Sequence, residues 1–322
     1  MAYFFISVSN KTNLELCIKY ALAGFTNSIN GVWTFLELQE GDFVSFLYGA
    51  KVFNLYKVKY KEAIKKADKI GPWPSVTFRM SGRTYYFPFR ISLTPIREFT
   101  EPMVRQEFAY IAENLLLRGG YRKTHFQADQ TTLQAVSQMG EPYKNSSFIF
   151  KEKYQTFTPL FVFNRKISNP PEIFPFQEFI LQSLIRHWLS QTENLKQIFI
   201  YLGLNTFSAG DFEVLGEKAF PEGHVDILIK ESSPKGYCKK IIVEVKMGSL
   251  QKKDIDQLQK YMDELGEECK KGILIGKKVS KKIIEEAKNK KIQCFLYSFK
   301  NLDLEKQYAF NELLSNLQIK IC

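Results

Sequence analysis

Hydrophobic and polar positions follow two different patterns along the chain, and the change falls near residue 172. Apolar residues recur at helical spacing over 13–22, 103–120 and 129–139, so we expect helices there. The other apolar runs before residue 100 are short, aromatic and β-branched, and Gly or Asn separates them, which is typical of strands. These runs are YFFISVS, DFVSFLYG, VFNLYKVKY, SVTFRM and TYYFPFRISL. The first part is therefore predicted to be a small, curled sheet with helices.

After residue 172 the pattern alternates between strand and helix periods. Such alternation predicts an α/β domain with a mixed sheet flanked by helices. The expected strands are 212–219, 224–230, 239–246, 272–276 and 292–298, and the expected helices are 176–190, 252–265, 280–290 and 302–317.

The two patterns indicate two domains, because 322 residues exceed the usual length of one domain. Pro142 and the Asn169-Pro170-Pro171 stretch bound a segment that resembles a connector more than a core element. The predicted organisation is a first domain at 1–142, a linker at 143–171 and a second domain at 172–322. The predicted fold class is a mixture of α/β and α+β.

Composition changes this picture in one respect, because the chain is basic. It carries 45 Lys and Arg against 34 Asp and Glu, and residues 1–171 alone hold 22 basic and 13 acidic side chains. The excess of positive charge favours a polyanionic partner, and most of this excess lies in the first half of the chain. Five scattered cysteines and the absence of a secretory or membrane-length apolar run predict a reduced, cytoplasmic protein without a membrane partner.

Candidate chemistry lies in the hairpin HVDILIKESSPKGYCKKIIVEVK, residues 224–246. Asp226 begins its first apolar run, and Glu244 and Lys246 end its second, so strand pairing would bring the three charges together. Mg²⁺ prefers oxygen ligands, and Asp226, Glu244 and the Val245 carbonyl could provide them. Lys246 could orient or help deprotonate the attacking water. The alternative is that these are solvated charges at a strand edge.

The helix that follows the hairpin extends this pattern. Gln257 and Tyr261 are four residues apart and share a face other than the apolar stripe of Ile255, Leu258 and Met262. The order G-x-x-D, E-x-K and Q-x-x-x-Y resembles the PD-(D/E)XK nuclease superfamily, specifically its RecB-like and NucS-like branches. The resemblance covers residues 172–300.

This resemblance implies a Mg²⁺-dependent endodeoxyribonuclease in which Mn²⁺ can substitute. It implies metal ligation by Asp226 and Glu244, a catalytic Lys246, and a supporting pair formed by Gln257 and Tyr261. The family's upstream acid corresponds to Glu178, for which a plain surface residue is the alternative role, and two other candidates stay open, Glu213 and Glu217. His224 could contact phosphate or be structural, and His125 and His187 are given no role.

The first half contains aromatic residues where strands are expected to emerge into loops. Trp33 follows TNSINGV, Trp73 lies in KIGPWPSV, and Phe25 follows Gly24. The order of segments over 1–142 resembles the EVE and YTH domains of the PUA-like superfamily. That resemblance implies a small barrel-like sheet that carries an aromatic cage for a flipped, methylated base, with Phe25, Trp33 and Trp73 as walls. Core packing is the alternative role for the tryptophans. Four basic residues are predicted phosphate contacts, or else part of a solvated face: Arg79, Arg83, Arg122 and Lys123.

Together the two resemblances imply a modification-dependent restriction endonuclease, acting as a homodimer on DNA that carries a methylated base. A NucS-like mismatch or structure-specific repair endonuclease is the first alternative. A nucleic-acid-binding protein without catalysis is the second. The chain has no GxxxxGK[ST] motif, which argues against an ATP-driven nuclease within these residues.

Overall fold

The chain forms two compact units in a computed structural model that describes residues 1–49, 51–77, 79, 82–102, 124–144, 147–150, 152–220 and 223–322. The first unit comprises Met1–Phe161 and Arg165–Phe174, and the second comprises Val162–Asn164 and Pro175–Cys322. Helices and mixed sheets occur together in the chain, so it belongs to the mixed α/β class. None of the described helices is long and apolar enough to cross a membrane.

The first unit is dominated by strands. They are β1 (Tyr3–Ser7), β2 (Leu22–Phe25), β3 (Phe43–Tyr48), β4 (Lys51–Ile64), β5 (Val76–Thr77), β6 (Thr84–Tyr85), β7 (Phe89–Glu98), β8 (His125–Ala128), β9 (Glu141–Pro142) and β10 (Thr156–Phe157). Two more, β11 (Leu160–Val162) and β12 (Ile173–Pro175), lie near the boundary along the chain. Its described helices are α1 (Lys11–Tyr20), α2 (Ile29–Glu37) and α3 (Gln130–Val136). The helix predicted at 103–120 lies outside the described residues.

The main sheet of the first unit has the order β2-β7-β4-β3-β1-β8, with β9 paired to β7 and β10 to β4. Strands β1 and β3 are parallel, and the other neighbours in this order are antiparallel. Among the described strands, β2 and β8 end the order without pairing with each other. The sheet is therefore open, and the predicted barrel-like closure is absent from this part of the chain.

Two features of the first unit differ from the sequence-based expectation. Trp33 lies within α2 rather than in a loop, because the Ser28 hydroxyl caps that helix by accepting the Gly31 N–H at 3.2 Å.

The predicted linker 143–171 contributes to the unit where it is described. Its strand β10 pairs with β4, and Phe161 is fully buried.

The second unit alternates strands and helices as its sequence predicts. Its strands are β13 (Phe212–Phe220), β14 (Gly223–Glu231), β15 (Lys240–Val245), β16 (Cys269–Gly276), β17 (Ile292–Phe299), β18 (Gln307–Ala309) and β19 (Leu317–Ile321). Its helices are α4 (Glu178–Leu189), α5 (Thr192–Tyr201), α6 (Lys252–Leu265), α7 (Lys281–Asn289) and α8 (Phe310–Asn316).

The sheet of the second unit has the order β13-β14-β15-β16-β17-β19. Strands β13 to β15 are antiparallel, β15 to β17 are parallel, and β19 returns antiparallel to β17. Helix α6 buries Ile255, Leu258 and Met262 in the same hydrophobic cluster as Ile242 and Leu274 of the sheet. Because β15, β16 and β17 are parallel neighbours, their carboxyl ends lie at one edge of this sheet.

The predicted helix at 302–317 is wrong over most of its length. The chain instead forms β18, the short helix α8 and the strand β19. Leu317, Ile319 and Ile321 alternate with polar residues, and this two-residue period pairs β19 with β17 through Leu317↔Phe299 and Ile321↔Phe295. The strand period therefore prevails over the helical one at this position.

Candidate active site

Asp226 and Glu244 face each other across the hairpin of β14 and β15. The ladder of paired residues between these strands begins at the Ile227↔Val243 pair, and Asp226 lies one residue beyond it. There the Asp226 side chain replaces a backbone partner, because its Oδ2 accepts the Val245 N–H at 2.7 Å. The hairpin thus positions one carboxylate through a backbone donor on the neighbouring strand.

Glu244 is the most enclosed charged group of this site, with 2% of its surface exposed. Its Oε1 accepts hydrogen bonds from Lys246 Nζ at 2.7 Å and from Gln257 Nε2 at 3.0 Å. Its Oε2 is buried and has no hydrogen-bond partner among the described residues. An unsatisfied buried acceptor costs about 1–3 kcal/mol, so this oxygen marks a position where a ligand would be stabilising.

Gln257 and Tyr261 lie on the face of α6 that points to Glu244. Gln257 Nε2 donates to Glu244 Oε1 and also contacts the Tyr261 hydroxyl oxygen at 3.3 Å. Their spacing of four residues puts both side chains on one face of the helix. The structure therefore brings the predicted helix pair together with the predicted carboxylate.

The upstream acids differ in their surroundings. Glu178, in the first turn of α4, accepts the Met247 N–H through Oε2 at 3.0 Å, directly after Lys246. Glu217 lies close enough to Asp226 to raise the pKa of that carboxyl. Glu213 instead forms an ion pair with Lys230 at 3.3 Å. Glu178 and Glu217 both belong to the surroundings of the carboxylate pair, and Glu178 holds the chain that leaves β15.

Tyr297 is a further member of the site that the sequence motifs did not identify. Its hydroxyl donates to the Met247 carbonyl oxygen at 2.8 Å, so Met247 is held by Tyr297 on one side and by Glu178 on the other. Burial and the nearby Glu178 raise the pKa of Tyr297 to about 12. The sequence did offer one signal for Tyr297: it lies near the carboxyl end of a predicted strand, and ligand sites of α/β sheets lie at the carboxyl ends of parallel strands.

The electrostatics of the site are those of two carboxylates competing for one ammonium group. Burial raises the pKa of Asp226 well above its ordinary value, and the Glu244 carboxylate raises it further. Burial also raises the pKa of Glu244, although Lys246 opposes this shift. Burial lowers the pKa of Lys246, but Glu244 outweighs that effect and the net shift is upward. An additional cation would relieve the repulsion between the carboxylates.

Mg²⁺ fits the donors that are present. Hard cations take oxygen ligands, and Mg²⁺ commonly keeps several waters beside one or two carboxylates. Asp226, Glu244 and the Val245 carbonyl oxygen are the groups that would hold it. Glu244 Oε2 is a buried acceptor without a hydrogen-bond partner among the described residues. In the described part of the chain, no group of three or more His, Cys, Asp or Glu side chains is arranged to hold a metal.

The predicted cage residues of the first unit are enclosed in its core. Phe25 is 2% exposed, and Trp33 and Trp73 are each 6% exposed. Trp33 packs against His125 with ring centroids 4.7 Å apart. Trp73 lies over Gly24, where an added Cβ would come within 2.4 Å of its ring. The structure therefore shows these side chains in packing roles, without an open aromatic cage among the described residues.

The remaining predicted residues are placed as follows. Arg79 and Arg83 are exposed on the first unit, whereas Arg122 and Lys123 lie outside the described residues. His224 is partly buried on β14, in register with Ala219 of β13. His187 packs its ring against Phe310 at 5.4 Å, which is a structural contact.

Comparisons with known proteins show only distant likeness. No protein-family model matches the chain, and no curated protein sequence matches it. A repair endonuclease from Pyrococcus abyssi superposes with a TM-score of 0.23 at 18% identity, over 32% of this chain and 43% of that one. The MspJI restriction endonuclease in complex with a 27-mer oligonucleotide superposes with a TM-score of 0.17 at 8% identity, over 90% of this chain and 64% of that one. The chain thus matches less than two thirds of either protein, and superpositions this weak carry no argument about fold or function.

Proposed function

We propose that this protein is a Mg²⁺-dependent endodeoxyribonuclease that hydrolyses phosphodiester bonds at the carboxyl end of β15. The observation that carries the proposal is the set of contacts around Glu244. One Glu244 oxygen is held by Lys246 and Gln257, while the other is buried without a hydrogen-bond partner among the described residues, and the Glu244 carboxylate raises the pKa of Asp226. Two carboxylates, one of which has an unpartnered oxygen, can ligate a metal ion, and a lysine beside them can donate to water or phosphate. This combination suits metal-assisted phosphodiester hydrolysis.

Lys246 supports this reaction as a hydrogen-bond donor. Its raised pKa keeps the ammonium group charged, so Nζ can donate to the attacking water and attract the negatively charged phosphate. Hydrolysis forms a bond from the water oxygen to phosphorus and breaks the bond to the leaving oxygen, which takes up a proton. A bound Mg²⁺ would offset the charge that develops on the phosphate oxygens. Mn²⁺ accepts the same oxygen ligands and is expected to substitute.

We assign the selection of the DNA target to the first unit. We propose that it reads a methylated base, so that the protein acts as a modification-dependent restriction endonuclease. Support comes from the sequence resemblance to EVE and YTH domains and from the basic excess of residues 1–171. A base-sized cage requires Trp33 or Trp73 to leave the packing described above. Cleavage of both strands needs two active sites or two turnovers, and a homodimer meets this need.

A repair endonuclease is the second candidate, and one observation favours it. The burial of Phe25, Trp33 and Trp73 leaves no methyl-sized cage open among the described residues. A nuclease that recognises mismatches or flaps does not need such a cage. Its substrate would be unmodified DNA with a distorted or branched structure.

Cleavage assays with Mg²⁺ on four matched DNA substrates separate these functions. The substrates are an unmodified plasmid, the same plasmid carrying methylated bases, a mismatched duplex and a flap duplex. Cutting confined to the methylated plasmid supports the restriction function, and cutting confined to the mismatched or flap duplex supports repair. Asp226→Ala is the inactive control. Absence of cutting on all four substrates would overturn the nuclease proposal.

A further inference from the structure

Four exposed lysines lie at the same edge of the sheet as the candidate active site. Lys277 and Lys278 follow β16 directly, and Lys281 and Lys282 form the start of α7. We call these four residues the lysine edge. Because β15 and β16 are parallel neighbours, the chain that leaves β16 emerges beside the chain that leaves β15.

Backbone contacts join the lysine edge to the chain that follows Lys246. The Lys277 N–H donates to the Gly248 carbonyl at 2.9 Å, and the Leu250 N–H donates to the Lys278 carbonyl at 2.9 Å. Ser249 and Lys278 form a parallel bridge. Ser249 is three residues beyond Lys246, and three residues of chain span at most about 10 Å. DNA rises about 3.4 Å per nucleotide, so this upper limit corresponds to about three nucleotides along one strand.

The charges of the lysine edge are not compensated by the described residues. Nearby lysines do have acidic partners: Lys252 pairs with Glu286 at 3.5 Å, and Lys290 pairs with Asp256 at 2.8 Å. No such side-chain partner occurs for the four lysines within the part of the chain that the structure describes. The first turn of α7 holds no acidic residue, and two lysines there oppose the preference of that helix end for negative charge. Helix stability therefore does not account for these residues.

We propose that the lysine edge binds the phosphate backbone of the DNA strand next to the scissile phosphate. This inference rests on the proposed nuclease function and names a substrate contact of the same site. Exposed ammonium groups bind phosphates as point charges and release counterions from the DNA. The lysine edge positions the strand on one side of Lys246 and reads no base.

The test compares two pairs of lysine substitutions in the inactive Asp226→Asn background. Lys277→Gln with Lys278→Gln removes half of the lysine edge. Lys288→Gln with Lys291→Gln removes the same charge from the last turn of α7 and the residue before β17, away from the site edge. Binding of a short fluorescein-labelled DNA duplex is measured at several potassium chloride concentrations.

The first pair is expected to weaken binding at least about threefold and to reduce the slope of log K against log salt by about 2, which corresponds to two lost phosphate contacts. The second pair is expected to leave the affinity and the slope unchanged. Equal effects of the two pairs, or none, would overturn the inference. Lys281→Gln with Lys282→Gln repeats the test at the start of α7.

The same substitutions in the active protein separate this inference from the proposed function. With Lys277→Gln and Lys278→Gln, cleavage should persist at saturating DNA, with a raised KM. Wild-type cleavage together with an unchanged salt slope would reject the lysine edge alone. Absence of wild-type cleavage together with a reduced slope would reject the nuclease function and leave a DNA-binding surface. Absence of any wild-type DNA binding would reject both.

Discussion

Gln257 Nε2 lies 3.0 Å from Glu244 Oε1, so a single amide group joins helix α6 to the carboxylate at the end of β15. The same nitrogen contacts the Tyr261 hydroxyl oxygen at 3.3 Å. Gln257 thereby holds the Glu244 side chain through Oε1, while Oε2 has no hydrogen-bond partner among the described residues. This geometry makes Gln257 a positioning residue.

Substitution of Gln257 by Ala is expected to lower kcat by about tenfold or more with little change in KM, because the change affects the carboxylate orientation and not DNA binding. Gln259→Ala is the matched control on the same helix, since Gln259 bonds Asp263 at 2.6 Å and not Glu244. Steady-state cleavage kinetics of both variants provide the measurement. Equal kcat values in the two variants would show that Gln257 does not position Glu244.

Asp226→Asn is expected to stabilise the metal-free protein at alkaline pH while abolishing cleavage. The folded-state pKa of Asp226 is raised above its unfolded value, so folding favours the protonated carboxyl. That contribution is fully present below the unfolded pKa of about 4 and is lost as the pH rises through the folded pKa. The advantage of Asn is therefore largest at high pH and shrinks as the pH falls.

Urea unfolding in EDTA at mildly acidic and mildly alkaline pH measures this effect. Asp256→Asn is the control, because Asp256 is a half-exposed partner of Lys290 and its pKa is lowered, not raised. It should show no stabilisation at alkaline pH. Added Mg²⁺ should stabilise the native protein more than Asp226→Asn. A destabilised Asp226→Asn variant at alkaline pH would contradict the account of two opposed carboxylates.

Tyr297→Phe tests the second anchor of the chain after β15. Loss of the hydroxyl leaves the Met247 carbonyl without its 2.8 Å donor, so Lys246 should be held less firmly. We expect kcat to fall several-fold at unchanged KM, with a loss of about 1 kcal/mol in the free energy of unfolding. Tyr201→Phe, on α5, is the control for removal of a tyrosine hydroxyl. A fall in stability without any change in kcat would make Tyr297 purely structural.

Gly24→Ala tests the packing role of Trp73. An added Cβ would meet the Trp73 ring at 2.4 Å, and such overpacking typically costs about 1–3 kcal/mol. Gly210→Ala is the control, since its Cβ would meet only Ser208 Oγ at 3.9 Å. Urea unfolding should show a marked loss for the first variant and a change within about 0.5 kcal/mol for the second. An undisturbed Gly24→Ala variant would mean that Trp73 is free to leave the core.

The second unit shows what periodicity predicts well. Helix α6 was expected at 252–265 and occupies Lys252–Leu265, because its buried stripe and polar face have a strong helical period. The hairpin strands were also placed within about two residues. The relation of Asp226 to Glu244 follows from antiparallel pairing, which sequence can anticipate. The Tyr297 contact could not be anticipated, since it joins strands through a parallel crossover and depends on the tertiary fold.

The first unit shows where local patterns mislead. Polar residues and Gly31 before Trp33 were interpreted as a loop, yet they form the capped start of α2. Gly31 is needed there because a Cβ would come within 1.8 Å of the Thr26 carbonyl oxygen. Glycine in this helix therefore reflects a close backbone approach and not a turn. Burial of aromatic residues is likewise decided by packing that no local window contains.

The central claim is that Glu244 and Lys246 belong to a Mg²⁺-dependent nuclease site, and one kinetic comparison tests it most directly. The single-turnover cleavage rate of end-labelled DNA is measured in Mg²⁺ and in EDTA for the native protein, Lys246→Gln and the control Lys288→Gln. The account predicts a rate that requires Mg²⁺, falls at least about a hundredfold in Lys246→Gln and is unchanged in Lys288→Gln. A rate in Lys246→Gln within about twofold of the native value, or cleavage that persists in EDTA, would contradict it.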